Sequence, residues 1–159
     1  MIDCYDGMAV PVVHFRSPLS LLVTRPAVQV AGTATLSAAG ALMGAENVSA
    51  LVVDNGTGIV SERDMTRALA AGLGGDSPVS AVATAAPLTV RADISILDAA
   101  AMMLNQEVRH LVVTLSDTTL AVVSLRAVFA VLLQAAQPET WLIDLRERIE
   151  LSQSELWLG

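Results

Sequence analysis

An internal repeat constrains this chain more than any other feature of it. The stretch Thr35–Asp54 returns 60 positions later as Ser95–Thr114, with Ala50-Leu-Val-Val53 and His110-Leu-Val-Val113 in register. Ser20, Thr24 and Val30 recur as Ser80, Thr84 and Val90 at the same spacing. Past a turn that is three residues longer in the second copy, Gly58-Ile-Val-Ser-Glu-Arg-Asp64 is matched by Ala121-Val-Val-Ser-Leu-Arg-Ala127. Neither copy is large enough to bury its own apolar face, so the fold must come from packing one copy on the other.

Each copy reads as strand, helix, strand, strand, helix, an α/β (α+β) pattern of two βαββα units. Val28 and Val30 mark the first short strand and Leu88 and Val90 its counterpart. The first helix carries Leu36, Ala39, Gly40 and Met43 on one stripe; its copy carries Ile96, Ala99, Ala100 and Met103. That is the amphipathic-helix period. Ala50–Val53 and His110–Val113 read as buried strands. Asn55-Gly56 signals a two-residue type I′ hairpin turn, because both residues tolerate positive φ. Second helices are expected from Ser61 to about Ala71 and from Ser124 to about Ala136.

The expected divisions are a lead-in over 1–19, repeats over 20–76 and 77–137, and an amphipathic C-terminal helix within 138–159. Pro11 and Pro18 break the lead-in, and Gly72–Asp76 with Pro78 reads as a helix stop and linker. That Gly-rich stretch follows a helix, so it is no phosphate loop. In the last segment Trp141, Leu142, Leu145 and Ile149 form an apolar stripe that either covers the chain's own core or docks on a second subunit or another protein.

A chain of 159 residues, 53% hydrophobic and only 16% charged, has apolar surface to spare for subunit contacts. The apolar run Leu120–Ala136 is interrupted by Arg126 and Gln134, which argues against a membrane span. Asp3 and Asp6 stand where a secretion signal needs cations, so a cytoplasmic location is expected. A net charge of −7 opposes a nucleic-acid partner. Cys4 is the lone cysteine and cannot close an internal disulfide. His14 and His110 are the only histidines, and neither belongs to a legible metal or triad motif, so no enzyme is expected.

Three stretches in order carry a family likeness: Val82-Ala-Thr-Ala-Ala-Pro-Leu-Thr-Val90, Glu107-Val-Arg-His-Leu-Val-Val113 and Gly58-Ile-Val-Ser-Glu-Arg-Asp64. Over residues 20–136 the chain resembles a tandem pair of cystathionine-β-synthase (CBS) domains, the Bateman module. The resemblance implies a pseudo-twofold pair of βαββα units with two clefts and frequent dimerisation. It also implies a non-catalytic regulatory role, binding AMP, ADP, ATP or S-adenosylmethionine as a ligand and not as a tightly held cofactor. Asp64 would take the ribose hydroxyls and Ser61 a phosphate; Arg109 and His110 would reach phosphates.

The residues themselves allow that chemistry. A carboxylate in a helix's first turn can accept paired hydrogen bonds from a diol, and the free N–H groups there suit an anion. The same Ser-x-x-Asp spacing is equally a capping box that only stabilises the helix. Arg109 offers a forked donor and His110 a charge near neutrality, or both are merely a surface residue and a core-edge histidine. Arg25 and Arg63 are further candidates to face the clefts. In the second copy Ala127 replaces the carboxylate, so at most one good nucleoside site is expected. The expected assembly is a homodimer acting on an unidentified regulated protein; the alternative is a ligand-free dimerisation or interaction scaffold.

Overall fold

The structure is a computed structural model, and it describes residues 13–116, 119–134 and 143–150. The first copy comprises β1 (Gln29–Val30), α1 (Leu36–Glu46), β2 (Ala50–Val53), β3 (Gly58–Ser61) and α2 (Glu62–Ala70). After β4 (Thr84–Ala85) the second copy follows as β5 (Thr89–Arg91), α3 (Ile96–Asn105), β6 (His110–Thr114), β7 (Leu120–Ser124) and α4 (Leu125–Gln134). A fifth helix, α5, covers 143–150. Two sheets result, ordered β1-β2-β3-β4 and β5-β6-β7, each opening with a parallel pair and continuing antiparallel. The α/β pair of βαββα units is therefore present.

The copies exchange their opening segments. In α3, Ile96 and Leu97 donate backbone N–H bonds to Ser17 and Phe15, which precede the first copy; in α1, Leu36 and Ser37 donate to Ser77 and Gly75, which precede the second. Each exchanged segment thus satisfies N–H groups that a helix start leaves without partners. Thr35 and Ser95 cap the same helices, their hydroxyls accepting from Ala38 and Asp98. The exchange carries a core residue with it. Leu19 is fully buried in the second copy's core, and Val79 is fully buried in the first's. Residues 13–19 and 75–80 are therefore straps that bind the two copies together, where the sequence suggests a lead-in and a linker.

The strand running into the second copy is likewise shared. β4 pairs with β3 of the first sheet, after which the chain crosses to the second sheet as β5. On the opposite side Ala27 N–H donates to Leu120 at 2.7 Å, mirroring the bond from Ala86 to Thr57 at 3.0 Å. Leu51 and Val53 point toward the first pair of helices, and Leu111 and Val113 toward the second. Strand alternation turns Val52 and Val112 the other way, and both are buried where the sheets meet.

Two expectations are corrected. The β2–β3 hairpin is not a two-residue type I′ turn: Val53 pairs with Gly58, leaving a four-residue connection over 54–57. Its Asp54, Asn55 and Gly56 all have positive φ, and the Asp54 carboxylate reaches back to accept from Gly32 N–H at 2.9 Å, which holds the wider loop. Gly40, expected on the buried stripe of α1, is exposed; Leu36, Ala39 and Met43 make that stripe without it. In α3 the matching Ala100 is buried, as are Leu97 and Ala101 on the outer side.

The cause is α5. Leu145 and Ile149 pack into the second copy's core, and Asp144 and Arg148 pair with Arg16 and Asp98. Over the described residues α5 therefore covers the core of its own chain. Trp141 and Leu142, named in the same stripe, lie outside the described residues.

Candidate functional site

The sheets bring the end of β3, the first turn of α2 and the start of β6 to one place. Antiparallel pairing sets Ser61 opposite Ala50, so α2 begins beside the start of β2, and Glu62 N–H bonds to the Ser49 carbonyl at 3.1 Å. In the second copy Leu125 bonds to Arg109 at 2.8 Å in the same way. Among the described residues a single side-chain bond crosses between the copies here: Ser49 Oγ and His110 Nε2 are 2.8 Å apart. Around this junction lies a cavity of about 190 Å³. Ser61, Arg63, Asp64 and Arg67 line it from the first copy, and Glu107, Val108, Arg109 and His110 from the second. Thr84, Pro87 and Leu88, on the strand that crosses between the sheets, close the third side.

Asp64 is buried, and its position is set by the helix start. Its Oδ2 accepts from the Ser61 backbone N–H at 2.8 Å and from the Ser61 hydroxyl at 2.7 Å. The capping role is therefore realised for the carboxylate. Its Oδ1 keeps only a long approach from Arg67, at 3.9 Å, and remains open to an outside donor. Arg67 was not anticipated from the sequence. Its place one helical turn after Asp64 was the available signal, since residues three apart share a helix face.

Charge around the cavity is mixed, with three guanidinium groups (Arg63, Arg67, Arg109) against the carboxylates of Asp64 and Glu107. Burial pushes the His110 imidazole below its ordinary pKa, and the Arg109 charge pushes it the same way. Asp64 and Glu62 pull it back up and Arg63 pushes it further down, with burial the largest effect. His110 is consequently neutral at pH 7 and adds no charge to the free cavity. The cationic character rests on the arginines.

Arg25 does not line this cavity. It pairs with Glu46, Nη1 to Oε2 at 3.1 Å, and also caps the end of α1 through the Glu46 carbonyl. At the repeat offset Arg25 corresponds to Ala85, so it belongs to the opposite side of the pair. Arg109 and His110 do double duty. They also line a second cavity of about 510 Å³, together with Ser49, Glu62, Ser124, Leu125, Arg126 and Phe129. The imidazole and its bond to Ser49 thus stand in the wall between the two spaces. At the mirrored helix start Ser124 Oγ accepts from Ala127 N–H at 3.3 Å, so the hydroxyl cap survives without a carboxylate.

Among the described residues no cluster of His, Cys, Asp and Glu could hold a metal ion, and no helix is long and apolar enough to cross a membrane.

The CBS domain family model matches residues 20–71 and 79–134. The chain is similar to a CBS domain protein from Pyrobaculum aerophilum, PAE2072, whose structure was solved in complex with AMP. The two are 32% identical, with a TM-score of 0.64 over 76% of this chain and 98% of that one. It is also similar to CBSX2, likewise solved with AMP, at 25% identity and a TM-score of 0.58 over 74% and 97% of the two chains. The CBS-domain protein ATU1752 of Agrobacterium tumefaciens shares the fold at 20% identity, with a TM-score of 0.66 over 72% and 98%. No curated protein matches the chain. Two matched repeats, clasped by exchanged straps around one cleft, make this chain a member of the CBS-domain family, with its domains in tandem as a Bateman pair.

Proposed function

We propose that this CBS pair is a non-catalytic regulatory module that binds an adenosine-containing ligand in the cleft at Asp64. The observation that carries the reading is the Asp64 carboxylate: buried, oriented by Ser61, and with Oδ1 open toward a cavity ringed by Arg63, Arg67 and Arg109. The AMP complexes of the two similar proteins support it.

At about 190 Å³ the Asp64 cavity is smaller than the ~300–1,000 Å³ usual for such sites. It suits a sugar, with the rest of the ligand extending past Arg109 into the adjoining space. A ribose diol that takes one hydroxyl to each carboxylate oxygen displaces the Ser61 hydroxyl from Oδ2. Freed, it can donate to a phosphate at the helix start, where the N–H groups and Arg63 also favour an anion. Binding therefore changes one hydrogen bond at the junction of the two copies.

Calorimetry with AMP, ADP, ATP and S-adenosylmethionine tests the reading. Replacing Asp64 by Ala is expected to weaken the best ligand by about 1.5–3 kcal/mol. Equal affinity in wild type and variant removes Asp64 from the site.

A second reading, an interaction scaffold, is favoured by the exposed apolar groove between α1 and α2. Thermal shift separates the two. A true ligand at one hundred times its dissociation constant adds about 2.7 kcal/mol of stability; no shift with any of the four favours the scaffold.

A further inference from the structure

The arginines of this chain divide by what they face. Six of the nine are paired with a carboxylate. Among the described residues Arg63, Arg109 and Arg126 have no such partner. An unpaired guanidinium is ordinary on a surface, but these three do not scatter. Arg63 and Arg109 line the Asp64 cavity, and Arg109 and Arg126 line the adjoining space of about 510 Å³. In a chain of net charge −7 the unpaired cations thus stand along one path, which passes from the first copy to the second at Arg109. Such a grouping makes a local anion trap that net charge conceals.

The repeat shows why Arg126 is free. Ser124, Arg126 and Ala127 are the counterparts of Ser61, Arg63 and Asp64, and Ala130 is the counterpart of Arg67. The second copy has the hydroxyl and the cation of this helix start and holds no carboxylate beside them. It carries the groups that suit a phosphate and lacks the one that grips a sugar. The Leu125 N–H bond to the Arg109 carbonyl, at 2.8 Å, sets this incomplete site next to the wall of the complete one. We propose, resting on the ribose role of Asp64, that the ligand is a nucleoside polyphosphate whose terminal phosphate reaches Arg126, so that the second copy reads the length of the phosphate chain. A monophosphate ends near Arg63 and Arg109 and leaves Arg126 unused. S-adenosylmethionine brings a sulfonium cation and no phosphate to the same guanidinium groups. One group opposes the longer chains: Glu62 borders the second space, and its carboxylate repels the outer phosphates.

Calorimetry of the full chain with AMP, ATP, S-adenosylmethionine and inorganic triphosphate tests this. ATP is expected to bind roughly tenfold more tightly than AMP, the scale of one charge-assisted hydrogen bond, and S-adenosylmethionine more weakly than either. Arg126 is exposed, so Arg126→Gln should leave the thermal melt unchanged. It should weaken ATP about tenfold and AMP by less than about twofold. Glu62→Gln should tighten ATP more than AMP. Asp64→Ala separates the phosphate role of Arg126 from the ribose role of Asp64. If AMP and ATP bind alike, Arg126→Gln changes neither and Asp64→Ala weakens both, the polyphosphate assignment is overturned and the ribose site stands. If Arg126→Gln removes a preference for ATP while Asp64→Ala changes no affinity, the ribose site falls and the phosphate role of Arg126 stands. Inorganic triphosphate binding as tightly as ATP would overturn the nucleoside assignment, and binding of none of the four overturns both roles.

Discussion

The two copies share strands, straps and helix starts, yet at each matched position one is furnished and the other plain. At the helix start the first copy has Asp64 where the second has Ala127. At the second strand's start the second copy has Arg109-His110 where the first has Ser49-Ala50. These complementary losses leave one equipped cleft, because the pseudo-twofold packing places the first copy's carboxylate beside the second copy's basic pair. On the outside the asymmetry runs the other way: the second copy is sealed by Phe15 and α5, and the first is open. Duplication supplied the architecture, and differences at a few positions made the two copies unlike both at the cleft and on the outer face.

The strap exchange is the part of this comparison with the largest expected effect. Leu19→Ala should cost about 2–5 kcal/mol in denaturant unfolding, as for a buried Leu elsewhere. Hydrogen exchange should place the loosening in α3 of the other copy; loosening around β1 and α1 instead would show that the segment serves its own repeat. Next in size is the cleft. Beside the loss expected for Asp64→Ala, the converse Ala127→Asp should create no second nucleoside site by calorimetry, because Ser49-Ala50 lack the cations that face Asp64. A second binding event would mean that the carboxylate alone is sufficient.

A smaller effect separates the outer faces. Gly40→Ala should stabilise the chain by roughly 0.5–1 kcal/mol, the worth of helix propensity at a position with open space. Destabilisation there, measured by thermal melting, would mean the groove is not open. The smallest effect belongs to His110. Its folded pKa lies below the ordinary 6.5, so the unfolded chain takes up the proton first as pH falls. Stability should therefore be intact above about pH 6.5 and decline as pH drops through the depressed folded value. His110→Gln should flatten that decline; an unchanged pH profile would show that the imidazole titrates without consequence for the fold.

Much of this was legible before any coordinates. The repeat offset identified paired units, and β-branched runs marked the central strands, because a strand buried on both faces is a continuous apolar run that is too short for a helix. The Ser61-x-x-Asp64 motif was visible because helix starts depend on local hydrogen bonds. Two errors have non-local causes. The Asn55-Gly56 loop widened because Asp54 bonds to Gly32, which lies far away in sequence. Gly40 was assigned to the buried stripe by its helical spacing, yet only its counterpart Ala100, in the more filled core of the second copy, is buried.

By itself, then, the sequence determined the duplicated βαββα plan, the cap at Ser61 and Asp64, and the loss of the carboxylate at Ala127, all of which follow from neighbours a few residues apart. Only the tertiary structure decided that the opening segments are exchanged, that Arg25 pairs with Glu46 away from the Asp64 cavity, that Arg67 lines that cavity, and that among the described residues α5 lies on one outer face and not on the other. Those outcomes depend on which surfaces meet between segments distant in the chain, and no local propensity encodes such a meeting.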